Sequence, residues 1–167
     1  MISLRRALIS DLDSIAKVAT ASLESTYKGV MTTEQIDYLN DLSYSQGSLK
    51  DQFNKGQIFF IASIDDQDVG FAAVVQEGPD LYHLSKIYVL AQFQHQGVGR
   101  ALLERVVEAV KKDHPQGACT LELAVNSFNS AASFYKKMGM VKVREQLTDM
   151  GGGFVLAQDV MELKPNS

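Results

Sequence analysis

Tryptophan is absent from the 167 residues, cysteine occurs once, and proline and histidine occur three times each. A lone cysteine, Cys119, cannot close an internal disulfide, and a reducing, cytoplasmic setting fits it best. It sits in an apolar run, as a core residue does. Three histidines and one cysteine at unrelated spacings argue against a structural zinc site, so no metal is expected. No stretch approaches the roughly 18 consecutive apolar residues of a membrane span. The opening Met1-Ile2-Ser3-Leu4-Arg5-Arg6 lacks the apolar run of a secretory leader. Basic charge is not in excess either: 16 Lys+Arg face 20 Asp+Glu, a net charge of −4. The basic face of a nucleic-acid binder is therefore not expected, while a cationic small substrate is compatible.

Apolar residues make up 46% and charged residues 22%, the composition of a globular chain. A chain of this length buries roughly 70% of its unfolded surface and is expected to form one domain over 1–167. The patterning predicts a first strand at Leu4–Ala7, then a helix capped by Ser10 with Asp13 and ended by Gly29. Thr32 with Gln35 opens a second helix, and a third begins near Ser48. A hairpin follows, Gln57–Ile64 and Val69–Gln76 around an Asp-rich turn, and then a strand from Leu81 to Leu90. Val98, Leu102, Val106 and Val110 mark a helix face that Pro115 stops. Thr120–Val125, Ser130–Met138, Val141–Leu147 and Phe154–Leu163 read as strand, helix, strand, strand. That order predicts an α/β fold: a mixed sheet of about seven strands with helices on both faces.

Between a strand and a helix lies Gln94-His95-Gln96-Gly97-Val98-Gly99. A helix start leaves about four backbone N–H groups unpaired, and the helix dipole favours an anion there. Glycines let the backbone approach that anion closely. Leu102 stands where a dinucleotide-binding fingerprint wants Gly or Ala, and Arg100-Ala101 replace the Lys-Ser/Thr of a P-loop.

Gln94-x-x-Gly97-x-Gly99 after a strand resembles the pyrophosphate-binding motif of the GCN5-related N-acetyltransferase (GNAT) family, Arg/Gln-x-x-Gly-x-Gly/Ala. A second family signature is similar to Leu121–Val125, Asn129, Ala131, Phe134-Tyr135 and Gly139-Met140. The segments Glu24–Val30 and Gln35–Tyr38 also resemble family sequence. Three positions depart from the pattern. Asn129 lies six rather than seven residues before Tyr135, which makes Asn126 an alternative; Met140 replaces Phe; and Gln94 replaces Arg, a charge that Arg100 or His95 can supply.

The resemblance implies an acetyl-CoA-dependent N-acetyltransferase, in which an amine attacks the thioester directly through a tetrahedral intermediate. It implies cofactor contacts from Ile87, Tyr88, Val89, Gln94, His95, Gln96, Gly97, Val98, Gly99, Arg100, Ala101, Asn126, Asn129 and Tyr135. A backbone N–H near Tyr88 or Val89 is the implied oxyanion donor, and the Tyr135 hydroxyl the implied acid for the leaving thiolate. His83, six residues before Val89, is the candidate base, because histidine exchanges protons near neutrality. Ser85 shares its strand face and could carry a water; Glu122 is the second candidate base. The resemblance puts the acceptor against the first two helices and the last hairpin, with Glu24, Tyr27, Tyr38 and His83 as candidate contacts. The carboxylates and tyrosines there suit a small primary amine such as a polyamine, and Asp149–Phe154 resembles bacterial members that acetylate spermidine and spermine. Two other readings stand: acetylation of a protein or peptide amine, and a non-catalytic CoA-binding module. A homodimer is compatible with either.

Overall fold

The computed structural model describes residues 1–115, 117–127, 131–149, 151, 153 and 155–165. Seven strands form one mixed sheet in the order β1-β2-β3-β4-β5-β7-β6. They are β1 (Ile2–Arg6), β2 (Ile58–Ile64), β3 (Gln67–Gly78), β4 (Leu81–Val89), β5 (Thr120–Asn126), β6 (Val141–Asp149) and β7 (Val155–Leu163). Among the described residues five α-helices accompany them: α1 (Leu12–Tyr27), α2 (Thr33–Tyr44), α3 (Gln46–Asn54), α4 (Val98–Asp113) and α5 (Ala131–Lys137). No described helix is long and apolar enough to cross a membrane. Of the sequence expectations, Asn129, the Ser130 helix start, and Met150, Gly152 and Phe154 of the last turn lie outside the described residues.

The chain divides into two compact units, Met1–Val74 with Lys86–Val106 and Val75–Ser85 with Val107–Ser167. In the first, Phe59–Ala62 of β2 and Val69–Val74 of β3 are buried without a break. Consecutive burial on a pleated strand means that both sheet faces are covered there. The β2–β3 hairpin turns on Asp65 and Asp66, both with positive φ (50° and 65°). That conformation suits a two-residue turn matching the strand twist, and Asp tolerates it. The α4 stripe behaves as its spacing predicts: Val98, Leu102, Leu103, Val106 and Val110 are at most 1% exposed. In the second unit the core includes Leu121, Leu123, Met140, Val160 and Met161, and Cys119 is buried as expected. Burial pushes the Cys119 thiol up, which suits a core residue rather than a nucleophile.

The helix ends show where local chemistry was read correctly and where it was not. Thr32 Oγ1 accepts from Gln35 N–H at 3.1 Å, and Gln35 Oε1 accepts from Thr32 N–H at 3.0 Å, the reciprocal cap that the spacing predicts. The Ser10–Asp13 cap does not form. Ile9–Asp11 is a 3₁₀ turn, and the Asp11 carboxylate accepts from Leu8 N–H at 2.8 Å. The reciprocal pairing is thus made two residues earlier in the chain, between Leu8 and Asp11.

Gly70 on β3 is fixed by contact. A Cβ there would meet the Tyr88 carbonyl at 2.8 Å, and Val98 Cγ1 and Leu102 Cδ1 at 3.2 Å each. The nearest atom is backbone and cannot rotate away. Gly70→Ala should therefore cost about 1–3 kcal/mol of stability by overpacking, read as a lower denaturation midpoint. An unchanged midpoint would show that β4 yields at Tyr88 without strain.

Candidate active site

The glycine loop is built in the first unit. After β4 the chain makes a 3₁₀ turn, Ala91–Phe93, and then enters the loop. His95 and Gly97 both take positive φ, 64° and 87°. Histidine adopts that region more readily than most residues, and glycine does so at no steric cost. The first helical bond of α4 runs from Ala101 N–H to the Gly97 carbonyl at 3.0 Å. The N–H groups of Val98, Gly99 and Arg100 thus precede the hydrogen-bonded ladder, the arrangement that receives an anion. Around Gly97 the space is open, since a Cβ there would meet only Ile2 Cδ1, at 4.0 Å. Left-handed backbone, amides at a helix start and an uncrowded glycine fit a pyrophosphate group.

Side chains brace the loop. Gln94 Nε2 donates to the Val89 carbonyl at 3.2 Å, tying the motif's first residue to the end of β4, and Gln96 Nε2 donates to the Gln92 carbonyl at 3.3 Å. Arg100 lies one turn from Glu104 and pairs with it at 2.8 Å. Both partners are exposed, so the pair is weak, and an incoming anion could compete for the guanidinium. Ile87, Tyr88 and Val89 end β4 half-buried, and Ala101 is half-buried in the first turn of α4.

β4 alternates as a half-buried strand does. Tyr82 and Leu84 are buried, while His83 and Ser85 share the opposite, half-buried face. β4 and β5 pair in parallel from Leu81↔Thr120 to His83↔Glu122. That register sets the two candidate bases side by side in the second unit. His83 Nδ1 lies 3.3 Å from Glu122 Oε1. Glu77, at the end of β3, brings its Oε1 to 3.7 Å from the same nitrogen. One carboxylate oxygen each of Glu77 and Glu122 and a ring nitrogen of His83 all lie within 4.8 Å of one another. Arg144 on β6 reaches the other Glu122 oxygen at 3.8 Å. Glu122 is the least exposed member, at 14% of its side chain, and His83 follows at 27%.

Further along β5, Asn126 is buried and its Oδ1 accepts from Gln158 Nε2 at 3.4 Å. Gln158 Oε1 in turn accepts from Gln146 at 3.1 Å and Thr148 at 2.6 Å. Tyr135 is 6% exposed on α5, with its ring 5.2 Å from Phe134 in an edge-on arrangement. The carbonyl of Tyr135 accepts from Met138 and Met140, which closes that helix ahead of β6.

The candidate acceptor residues divide by burial. Glu24 and Tyr38 are exposed on α1 and α2, whereas Tyr27 is buried at the end of α1. Tyr44, Phe71 and Tyr88 form an aromatic cluster with centroids 5.7 to 6.3 Å apart. Burial raises the hydroxyl pKa of Tyr44 well above its ordinary value, and the neighbouring Tyr88 and Tyr27 add to it. Lys86 places its Nζ 5.5 Å from the Tyr44 ring centroid, and burial pushes its ammonium down to about 8. Sequence reasoning missed Glu77, Lys86, Arg144 and Gln158. Glu77 and Lys86 sit on strands beside residues that had been singled out. Only the strand register, which a single sequence does not show, brings Arg144 and Gln158 to the site.

The acetyltransferase (GNAT) domain family matches residues 27–156. The uncharacterized N-acetyltransferase YuaI of Bacillus subtilis is 32% identical over 163 residues, covering 91% of this chain and 87% of that protein. A spermidine N(1)-acetyltransferase of Thermoplasma acidophilum is 29% identical over 161 residues, covering 93% and 95%. The crystal structure of an N-acetyltransferase from Thermoplasma acidophilum in complex with coenzyme A superposes with a TM-score of 0.77 at 26% identity, covering 98% and 99% of the two chains. The glycine loop, the seven-stranded order and these likenesses agree: the chain belongs to the GCN5-related N-acetyltransferase family and is an acetyl-CoA-dependent N-acetyltransferase.

Proposed function

We propose that the chain acetylates a primary amine of a cationic small molecule, with polyamines as the acceptor class, in the cytoplasm. The observation that carries this reading is the pair of carboxylates, Glu122 and Glu77, gathered on His83. Negative charge around the base attracts an ammonium and favours its approach. The likeness to a spermidine acetyltransferase over 93% of this chain supports the same class.

Acetyl-CoA supplies the activated acetyl group as a thioester. In this reading the amides of Gln96 to Arg100 hold its pyrophosphate, helped by the Arg100 and His95 side chains, with Ala101 in the same first turn of α4, while Ile87 to Val89 line it along β4. Asn126 or Asn129 completes the cofactor contacts. A backbone N–H of Tyr88 or Val89 donates to the carbonyl oxygen as charge develops there. His83 takes the proton from the ammonium, since only the neutral amine has a lone pair to attack with. Tyr135 gives up its hydroxyl proton to the leaving sulfur. Glu24, Tyr27 and Tyr38 contact the acceptor.

CoA release measured against spermidine, spermine, amino acids, aminoglycosides and short peptides tests the acceptor class. The polyamines should give the highest kcat/KM. Turnover confined to peptides would replace the small-molecule reading with a protein-amine one.

A further inference from the structure

We infer that Glu122 is a positioning residue: it holds the proton of neutral His83 on Nδ1, so that Nε2 is the nitrogen presented to the acceptor. This rests on the reading of His83 as the base and assigns Glu122 a different role from that of a rival base. Every polar contact of His83 runs through Nδ1, to Glu122 at 3.3 Å and Glu77 at 3.7 Å. Among the described residues Nε2 faces no hydrogen-bond or ion-pair partner. A carboxylate accepts and cannot donate, so a neutral imidazole meets it only with the proton on the facing nitrogen. The other nitrogen then keeps its lone pair for a proton. The bond made by one ring nitrogen thereby sets the chemistry of the other.

Glu122 is the nearer and less exposed of the two carboxylates. The β4–β5 register fixes its backbone directly beside His83. Its second oxygen lies 3.8 Å from the Arg144 guanidinium, which leaves the first oxygen to face His83. Glu77, at 46% exposed, contributes negative charge rather than orientation. The charged groups facing His83 are thus Glu77 from β3 and Glu122 from β5, with Arg144 of β6 behind Glu122.

Long-range ¹H–¹⁵N correlation spectra, recorded where imidazole is uncharged, report which ring nitrogen carries the proton. His83→Ala identifies the signals. In solution a neutral histidine side chain favours the Nε2–H form, so the expected Nδ1–H form is a departure from the default. Glu122→Ala should return the ring to mainly Nε2–H and lower kcat/KM about 10-fold or more. Glu77→Gln should leave the tautomer unchanged. An Nε2–H ring in the unaltered protein would overturn the inference, as would a tautomer that ignores Glu122→Ala. The spectra decide the positioning and kinetics decide the base: undiminished turnover in His83→Ala would sink the reading of His83 as base whatever its tautomer.

Discussion

Gly99→Glu should abolish measurable CoA binding while the protein stays folded. Gly99 is the second residue of α4, on the turn whose Val98, Gly99 and Arg100 N–H groups precede the helical ladder. A glutamate there places a carboxylate where the pyrophosphate charge would sit, and like charges at short range repel strongly when partly desolvated. The helix itself should tolerate the change, because an acidic residue in the first turn suits the dipole. Loss of binding without loss of helix is therefore the specific signature. Calorimetry with CoA and a thermal melt on the same sample read the two. Unchanged affinity in a folded variant would show that the cofactor's phosphates lie elsewhere.

Much of this fold was legible from local pattern. The Thr32–Gln35 cap, the α4 stripe and the period-2 face holding His83 and Ser85 each depend on residues within about one turn or strand of each other. Such signals are carried by the sequence itself. The Ser10–Asp13 cap failed for a local reason, competition from Asp11 at a 3₁₀ turn. The site was legible in part. Gly97 and its loop were visible because a backbone conformation that favours glycine leaves a glycine in the sequence. His83 and Glu122 were visible only as separate candidates. What joins them is a parallel register between strands 39 residues apart, together with an Arg144 contact made across the sheet. A single chain carries no pattern for that, because register is settled by the whole sheet's packing. Lys86 shows the same limit. A lysine in a strand reads as a surface residue, and its depressed ammonium arises from burial beside Tyr44.

His83→Ala should lower kcat/KM by about 10²-fold, the usual scale for one general base, and should change the shape of the pH profile as well as its height. With His83 in place, kcat/KM should rise with pH along a limb that belongs to the enzyme, because a general base must be unprotonated to act. An acceptor's own ammonium, near pKa 10 for an alkylamine, adds a second rise at higher pH. The two can be told apart by acceptor choice, because an amine of lower pKa moves the second limb and leaves an enzyme limb where it was. The decisive measurement is thus kcat/KM against pH for the unaltered enzyme and His83→Ala, each with two amines of different pKa. The account predicts an enzyme limb that is independent of the amine and absent from His83→Ala. An amine-independent limb of undiminished height in His83→Ala would contradict it.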